Sequence, residues 1–145
     1  MAMKEIKTEI VINSSKEKIW AVLCELDNYE TWNNIITDVK SSLQVGRGFR
    51  FKISIFGLAV PMAAKVHRAD ENRYLGWGND YQSWLKFVLA AHHYFEIVEI
   101  SDTQCKFVHG EQFYGVVPFA LWPTIRKMGK SYETFNKSLK LAAEK

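Results

Sequence analysis

Between residues 37 and 113 the sequence is a succession of short segments in which apolar and polar residues alternate, separated by turn residues. The clearest is FRFKISIF (49–56), where phenylalanine and isoleucine alternate with Arg50, Lys52 and Ser54. Alternation with a period of two is typical of a strand that buries one face. Successive strands joined by short turns form an antiparallel meander, and another element must cover its apolar face.

Seven strands are predicted in all. One precedes the meander and six belong to it, at 5–13, 37–45, 49–56, 60–70, 73–80, 92–100 and 104–113. Glycine, aspartate and asparagine lie in the connections, as expected of turns.

Two short helices are predicted between the first and second strands. Ser14 and Glu17 have the spacing of a capping box, and apolar residues then recur at helical intervals up to Leu26. A second capping signal at 27–30 begins another short helix that carries Trp32.

The last segment carries the element that covers the sheet. Its apolar residues recur every three or four positions, which predicts one long amphipathic helix. They are Leu121, Ile125, Met128, Tyr132, Phe135, Leu139 and Ala142. Pro118 fits its first turn, and Pro123 either begins a new helix or kinks this one. Its basic face is interpreted as solvated surface, with docking on anionic lipid as the alternative.

Composition limits the class of protein. The chain has 145 residues, of which 48% are hydrophobic and 24% are charged, so we expect a single domain over 1–145 with a substantial core. A net charge of +3 with scattered basic residues does not indicate nucleic-acid binding. No apolar run is long enough to span a bilayer, and MAMKEIKTEI lacks an apolar signal core, so we expect a cytoplasmic protein.

Three stretches resemble the START-like superfamily, also called Bet v 1-like or SRPBCC, and within it the polyketide cyclase/dehydrase branch. They are INSSKEKIWAVLCELDNYETWN (12–33), HYFEI (93–97) and FVHGEQFYGVVPFALWP (107–123), and the resemblance covers nearly the whole chain. It implies an α+β helix-grip fold, in which a curved antiparallel sheet of about seven strands wraps around a long C-terminal helix. It does not specify an activity, because one cavity of this kind serves many chemistries.

His109 and Glu111 are two apart on a predicted strand, so they share a face with Phe107 and Phe113. Three interpretations remain open for this pair in apolar surroundings: a hydrogen-bonded structural pair, recognition of a ligand's polar group, and acid–base catalysis. Burial raises the pKa of a carboxyl group and lowers that of a histidine, which brings both towards neutral pH.

His93 joins this pair if the sixth strand points His93, Phe95 and Ile97 inward, whereas a shift of one residue points Tyr94, Glu96 and Val98 inward instead. Two histidines and a carboxylate are also a known set of metal ligands. We nevertheless expect no metal and no cofactor. Cys24 and Cys105 have no metal-binding spacing and are interpreted as reduced core residues.

A cavity between sheet and helix is expected to be lined by apolar and aromatic side chains. The candidate ligand-binding residues are Trp32, Phe51, Ile53, Trp77, His93, Phe95, Phe107, Phe113, Trp122, Ile125 and Met128. Large aromatic side chains also fill ordinary cores, so these residues fit a packed interior as well.

The apolar stretch YQSWLKFVLAA (81–91) departs from the resemblance, since the corresponding link is usually short and rich in glycine. It fits a longer hairpin with buried residues, a flap over the cavity mouth, or a contact with a second copy or another partner.

Three functions follow from these features. The first is binding of a small hydrophobic ligand such as a lipid, polyketide, quinone or aromatic metabolite. The second is a cyclase or dehydratase that uses His109 and Glu111 as acid and base. The third is a protein-interaction module, similar to co-chaperone relatives of this fold, that uses 81–91.

Overall fold

A computed structural model describes residues 3–79 and 84–145, so residues 81–83 of the apolar stretch lie outside the described ranges. The strands are β1 (Lys4–Ile12), β2 (Ile36–Ser41), β3 (Gly48–Ile55), β4 (Leu58–Asp70), β5 (Tyr74–Gly78), β6 (Ala90–Ser101) and β7 (Gln104–Tyr114). The α-helices are α1 (Lys16–Cys24), α2 (Tyr29–Trp32), α3 (Leu85–Val88), α4 (Val116–Ala120), α5 (Trp122–Ile125) and α6 (Gly129–Ala143). Two 3₁₀ turns, Leu26–Asn28 and Arg126–Met128, precede α2 and α6.

All seven strands form one antiparallel sheet in the order β1-β7-β6-β5-β4-β3-β2. Strands β2 to β7 are neighbours in chain order, as the predicted meander requires. β1 pairs with β7, so the first strand lies at one edge of the sheet, next to the last strand. The predicted fold class, α+β with a seven-stranded curved sheet gripping a C-terminal helix, is confirmed.

The register of the β6–β7 hairpin selects the first of the two predicted arrangements. His93 lies opposite Glu111, and Phe95 lies opposite His109. All four side chains are buried. Tyr94 points to the outer face, where it lies against Gly110.

The C-terminal segment follows the first of the two arrangements predicted for Pro123. Pro123 lies in the first turn of α5, so it begins a new helix. Leu121 lies between α4 and α5 and is 54% exposed, which makes its place on the predicted apolar stripe wrong. Tyr132, Phe135 and Leu139 of α6 are buried as predicted.

Smaller differences occur at two other predicted elements. Ser15, rather than Ser14, caps α1, since its side chain accepts a hydrogen bond from the backbone N–H of Lys18. The strand predicted over 37–45 ends at Ser41. Its register shifts between Thr37 and Lys40, where Asp38 has a positive φ of 49°.

Aromatic rings fill most of the space between sheet and α6. Trp77 stacks on Phe49 with ring centroids 4.4 Å apart, and on His93 at 4.8 Å. Phe95 stacks on Phe135 of α6 at 5.3 Å. The polar residues of the interior are therefore held within a rigid aromatic frame.

Candidate functional site

Two polar residues of β7 face two polar residues of α6 across the interior. His109 and Glu111 are two apart on the strand, and Asn136 and Tyr132 are four apart on the helix. Two strand residues advance about 6.8 Å and four helix residues about 6.0 Å, so both pairs meet in register. All four are buried.

A chain of hydrogen bonds connects these residues. Nε2 of His93 lies 2.7 Å from Nε2 of His109, and Nδ1 of His109 lies 2.9 Å from Oδ1 of Asn136. Nδ2 of Asn136 donates to Oγ1 of Thr8 at 2.8 Å, and that hydroxyl donates to the backbone carbonyl of His109 at 2.8 Å. The chain therefore begins and ends on the β6–β7 hairpin.

Thr8 fixes the direction of every donor in this chain. Its hydroxyl donates to a carbonyl, which only accepts, so the hydroxyl oxygen accepts from the amide nitrogen of Asn136. The amide oxygen of Asn136 then faces His109 and requires a proton on Nδ1 of that ring. Nε2 of a neutral His109 is therefore an acceptor, and Nε2 of His93 donates to it.

Burial keeps His109 neutral. Its side chain is completely buried, and loss of hydration lowers the pKa of His109 well below its usual value, with His93 adding to the effect. The hydrogen bond from His109 to Asn136 opposes this shift only partly. The neutral state agrees with the acceptor role that the chain assigns to Nε2.

Glu111 lies at the other end of the chain. The Tyr132 hydroxyl donates to Oε1 of Glu111, and Nδ1 of His93 lies 3.5 Å from the same oxygen. Burial raises the pKa of Tyr132, and the neighbouring Glu111 raises it further, so the phenol keeps its proton and remains a hydrogen-bond donor. Nδ1 of His93 therefore faces Oε1 of Glu111, while Nε2 of the same ring faces His109.

A small cavity of about 40 Å³ lies beside this pair. Its lining comes mainly from the strands and not from α6, and it includes Met62, which is 39% exposed. Its lining residues are Phe51, Met62, Ala63, Ala64, Trp77, Gly78, Asn79, Ala91, His93 and Glu111. A carboxyl group and an imidazole thus meet an otherwise largely apolar space.

The predicted site residues fall into two sets. Phe51, Trp77, His93 and Glu111 line this cavity. The others pack elsewhere: His109, Trp32, Ile53, Phe95, Phe107, Phe113, Trp122, Ile125 and Met128. His109 lies directly behind His93, so it reaches the cavity only through that ring.

Asn136 was not predicted as a site residue from the sequence, and Thr8 was given no role. In the first strand Thr8 alternates with the same period as Ile6, Ile10 and Ile12, and a lone hydroxyl among isoleucines is a weak signal. Asn136 follows Phe135 within the apolar face of α6, four residues after Tyr132. That spacing, matched to His109 and Glu111, is the signal that identifies it.

No cluster of three or more histidine, cysteine, aspartate or glutamate side chains that could hold a metal occurs among residues 3–79 and 84–145. Over the same ranges, no helix is both long enough and apolar enough to cross a bilayer.

Comparison with known proteins identifies the fold. No family model and no curated protein matches the sequence. Among solved structures, a START superfamily protein from Mycobacterium smegmatis matches with a TM-score of 0.74 and 18% identity, covering 97% of both chains. The Zhui aromatase/cyclase from Streptomyces sp. R1128 matches with a TM-score of 0.77 and 9% identity, covering 99% of this chain and 94% of that one.

A third similar structure is norcoclaurine synthase from Thalictrum flavum, in complex with dopamine and hydroxybenzaldehyde. Its TM-score is 0.69 at 11% identity, and the match covers 96% of this chain and 85% of that chain. At such identities the likeness concerns the fold. Together with the order of the strands and the gripped helix, it shows that this chain has the helix-grip fold of the START-like, or Bet v 1-like, proteins.

Proposed function

We propose that this domain binds a small, mainly apolar molecule that carries one hydrogen-bonding group, in the cavity lined by β3, β4, β5, β6 and β7. The observation that carries the proposal is the position of Glu111 and His93, two buried polar side chains that line a cavity walled by Phe51 and Trp77. Ligand sites commonly combine apolar walls with a few polar groups of fixed orientation.

The orientation of the polar groups supports this proposal. His93 is held by the stacked ring of Trp77 and by the hydrogen bond to His109. Glu111 is held by Tyr132. Because both are fixed before a ligand arrives, a ligand hydroxyl or carbonyl group meets them without the cost of ordering two flexible side chains.

The size of the cavity sets a condition on binding. A volume of about 40 Å³ holds roughly one water, whereas ligand pockets usually measure about 300–1,000 Å³. A ligand must therefore displace part of the wall, and the aromatic surfaces of Phe51 and Trp77 favour a flat ring as the entering group. Norcoclaurine synthase, one of the structures similar to this chain, is described with two aromatic molecules.

Native mass spectrometry of protein purified without detergent tests the proposal. The wild type is expected to carry an apolar passenger, or to take up 2-naphthol, a flat ring with one hydroxyl group. Glu111→Gln is expected to weaken this binding by about tenfold, since it replaces the carboxyl group that lines the cavity with an amide.

The matched control is Glu133→Gln, which makes the same change at an exposed position of α6. It is expected to bind like the wild type. The proposal fails if the wild type carries no passenger and takes up no 2-naphthol, or if the two variants bind equally well.

Acid–base catalysis is a second candidate, favoured by the approach of Nδ1 of His93 to Oε1 of Glu111, 3.5 Å apart beside the cavity. Such a pair can accept a proton next to a ligand carbonyl group and return one to oxygen. In this arrangement His93 and Glu111 touch the substrate, and His109 positions His93. Catalysis predicts that the wild type changes the mass of its passenger over time and that Glu111→Gln retains the passenger unchanged; a passenger stable in both proteins contradicts it.

A further inference from the structure

Large apolar side chains are exposed together at one end of the sheet. Helix α3 leads into β6, and α4 follows β7, so the two helices lie side by side. The carbonyl of Val88 lies against Gly115, which precedes α4. We call this surface the apolar end; its exposed side chains are Trp84, Phe87, Val88, Val116, Phe119 and Leu121.

The strand register places further apolar side chains at the same end. Phe113 of β7 lies between Lys4 of β1 and Ala91 of β6. Strands β4 and β6 run in the same direction on either side of β5, and Lys65 of β4 is level with His92 of β6. The turn between β3 and β4 therefore extends towards this end, and it exposes Phe56 and Leu58. Met62, which lines the cavity, lies between Leu58 and Lys65 of β4 and so towards the same end.

The helical segments of the apolar end lack acidic residues. Stretches 84–95 and 112–132, which supply α3, α4 and α5, contain no aspartate or glutamate. Arg126, Lys127 and Lys130 follow α5 and are exposed, and none has an ion pair within the described part of the chain. Lys4 lies over the ring of Phe119, with its Nζ 5.2 Å from the centroid.

From this combination we propose that the apolar end docks on the surface of a bilayer that contains anionic phospholipid. Phe87 of α3 and Phe119 of α4, 65% and 62% exposed, enter the boundary between headgroups and acyl chains. Arg126, Lys127 and Lys130 contact the headgroup phosphates. Docking of this kind does not require a ligand in the cavity, so it stands apart from the proposed function.

A second copy of the chain fits this surface less well. A two-fold interface brings each patch against itself, so the three cations of one copy would face those of the other. Like charges brought together across an interface oppose association. An anionic surface neutralises the same cations, and a bilayer also accepts aromatic side chains that project from two short helices without forming a groove.

Co-sedimentation with vesicles tests the proposal. The protein is expected to bind vesicles of mixed phosphatidylcholine and phosphatidylglycerol, to bind phosphatidylcholine alone more weakly, and to dissociate as NaCl is raised. Phe87→Ser combined with Phe119→Ser is expected to lower the partition coefficient by about tenfold or more. Lys127→Gln is expected to weaken binding to the anionic vesicles and to leave binding to phosphatidylcholine unchanged.

Two matched controls accompany these variants. Leu141→Ser removes a side chain that is 69% exposed near the far end of α6, where Glu144 accepts a hydrogen bond from the backbone of Asn13. Lys137→Gln removes an exposed cation from the same helix. Both are expected to bind like the wild type, and circular dichroism melting curves verify that every variant is folded.

Three results would overturn the proposal. The first is absence of binding to the anionic vesicles by the folded wild type. The second is binding that the double serine variant retains in full, which would indicate adsorption by charge alone. The third is a dimer in light scattering that the double variant abolishes, without vesicle binding, which would identify a second copy as the occupant.

Discussion

Thr8 is the residue on which the order of the buried polar chain depends. Its hydroxyl lies between the amide of Asn136 and the backbone carbonyl of His109, and it has one proton to donate. Because the carbonyl takes that proton, the amide orientation and the tautomers of His109 and His93 follow without further choice. A single hydroxyl on β1 therefore decides which atoms His93 presents towards the cavity.

Thr8→Val should remove this control. Valine has nearly the same shape but neither donates nor accepts, so Asn136 becomes free to turn and His109 loses its fixed tautomer. We expect long-range ¹H–¹⁵N NMR to show Nδ1–H for His109 and Nε2–H for His93 in the wild type, and averaged ring shifts in the variant. The unpaired amide is expected to lower the free energy of unfolding by about 1–3 kcal/mol.

Thr134→Val is the control for this substitution, since Thr134 is exposed and its hydroxyl donates to the backbone of its own helix. It is expected to leave the ring shifts of both histidines unchanged. Observation of Nε2–H on His109 in the wild type would refute the order of donors that Thr8 imposes.

His109 should make the stability of the protein depend on pH. In the unfolded chain the pKa of a histidine is about 6.5, and in the folded chain burial lowers the pKa of His109 well below that value. Below about pH 6.5 the unfolded state binds more protons, so stability decreases as pH falls, by up to about 1.4 kcal/mol per pH unit. The polar groups in contact with the ring belong to His93, Asn136 and Tyr132, and none of these is a carboxylate.

His109→Gln should therefore flatten this part of the stability curve, measured by urea unfolding between pH 7 and pH 5, even though the variant is less stable at pH 7. His67→Gln, at an exposed strand position, should retain the wild-type slope. Equal slopes in the wild type and His109→Gln would show that another group is responsible.

Among the elements, β6 and β7 are in contact on the outer face of the sheet, where the ring of Tyr94 covers Gly110. A Cβ atom built on Gly110 would lie 2.5 Å from the ring of Tyr94. That ring is in turn stacked on Tyr74 with an interplanar angle of 3°, and its hydroxyl donates to Glu5. Tyr94 thus connects β5, β6, β7 and β1 across the surface of the sheet.

Gly110→Ala is expected to lower the free energy of unfolding by about 1–3 kcal/mol, because the ring of Tyr94 must leave its stack. Gly48→Ala is the control, since a Cβ there meets no atom within 4 Å; its effect should stay below about 1 kcal/mol. In combination with Tyr94→Leu, Gly110→Ala should cost less than it does alone. Additive costs in chemical denaturation would show that the Tyr94 ring is not what Gly110 accommodates.

The elements were predictable to the extent that one face of each is buried. β3 alternates cleanly between buried and exposed residues, and its predicted bounds differ from the observed ones by one residue. The C-terminal helix was predicted less well, because three- and four-residue spacing does not reveal that Leu121 lies between two short helices. The break is associated with Pro123 in the first turn of α5, and residue spacing alone leaves open whether such a proline begins or kinks a helix.

The candidate site was predictable in part for a related reason. Alternation placed His109 and Glu111 on the inward face. Their partners come from other elements: Tyr132 of α6 is 21 residues from Glu111 in the chain, and Thr8 of β1 is 101 residues from His109. Contacts of this kind depend on how α6 is docked on the sheet. The sequence pattern determines the face of each element, and the docking determines which polar residues meet.

At the scale of the whole molecule, the two sides of the sheet are held with different strength. Most residues of β7 are buried, whereas in β4 a single residue, Val66, is buried. The cavity lies beneath β4, at Met62, Ala63 and Ala64. The wall that must move for a ligand to enter is therefore the one with the fewest buried contacts, as expected of an element that opens locally.

Hydrogen–deuterium exchange tests this division. Backbone amides of 58–64 are expected to exchange faster than those of 104–114 in the free protein, because opening of the β3–β4 hairpin disrupts little of the core. Saturation with the natural passenger or 2-naphthol should slow exchange in 58–64 and leave 104–114 unchanged, since a ligand under β4 adds contacts only to the wall it displaces. Protection spread evenly over the sheet would instead indicate that the molecule opens as one unit, and that the wall formed by β4 is not the entrance.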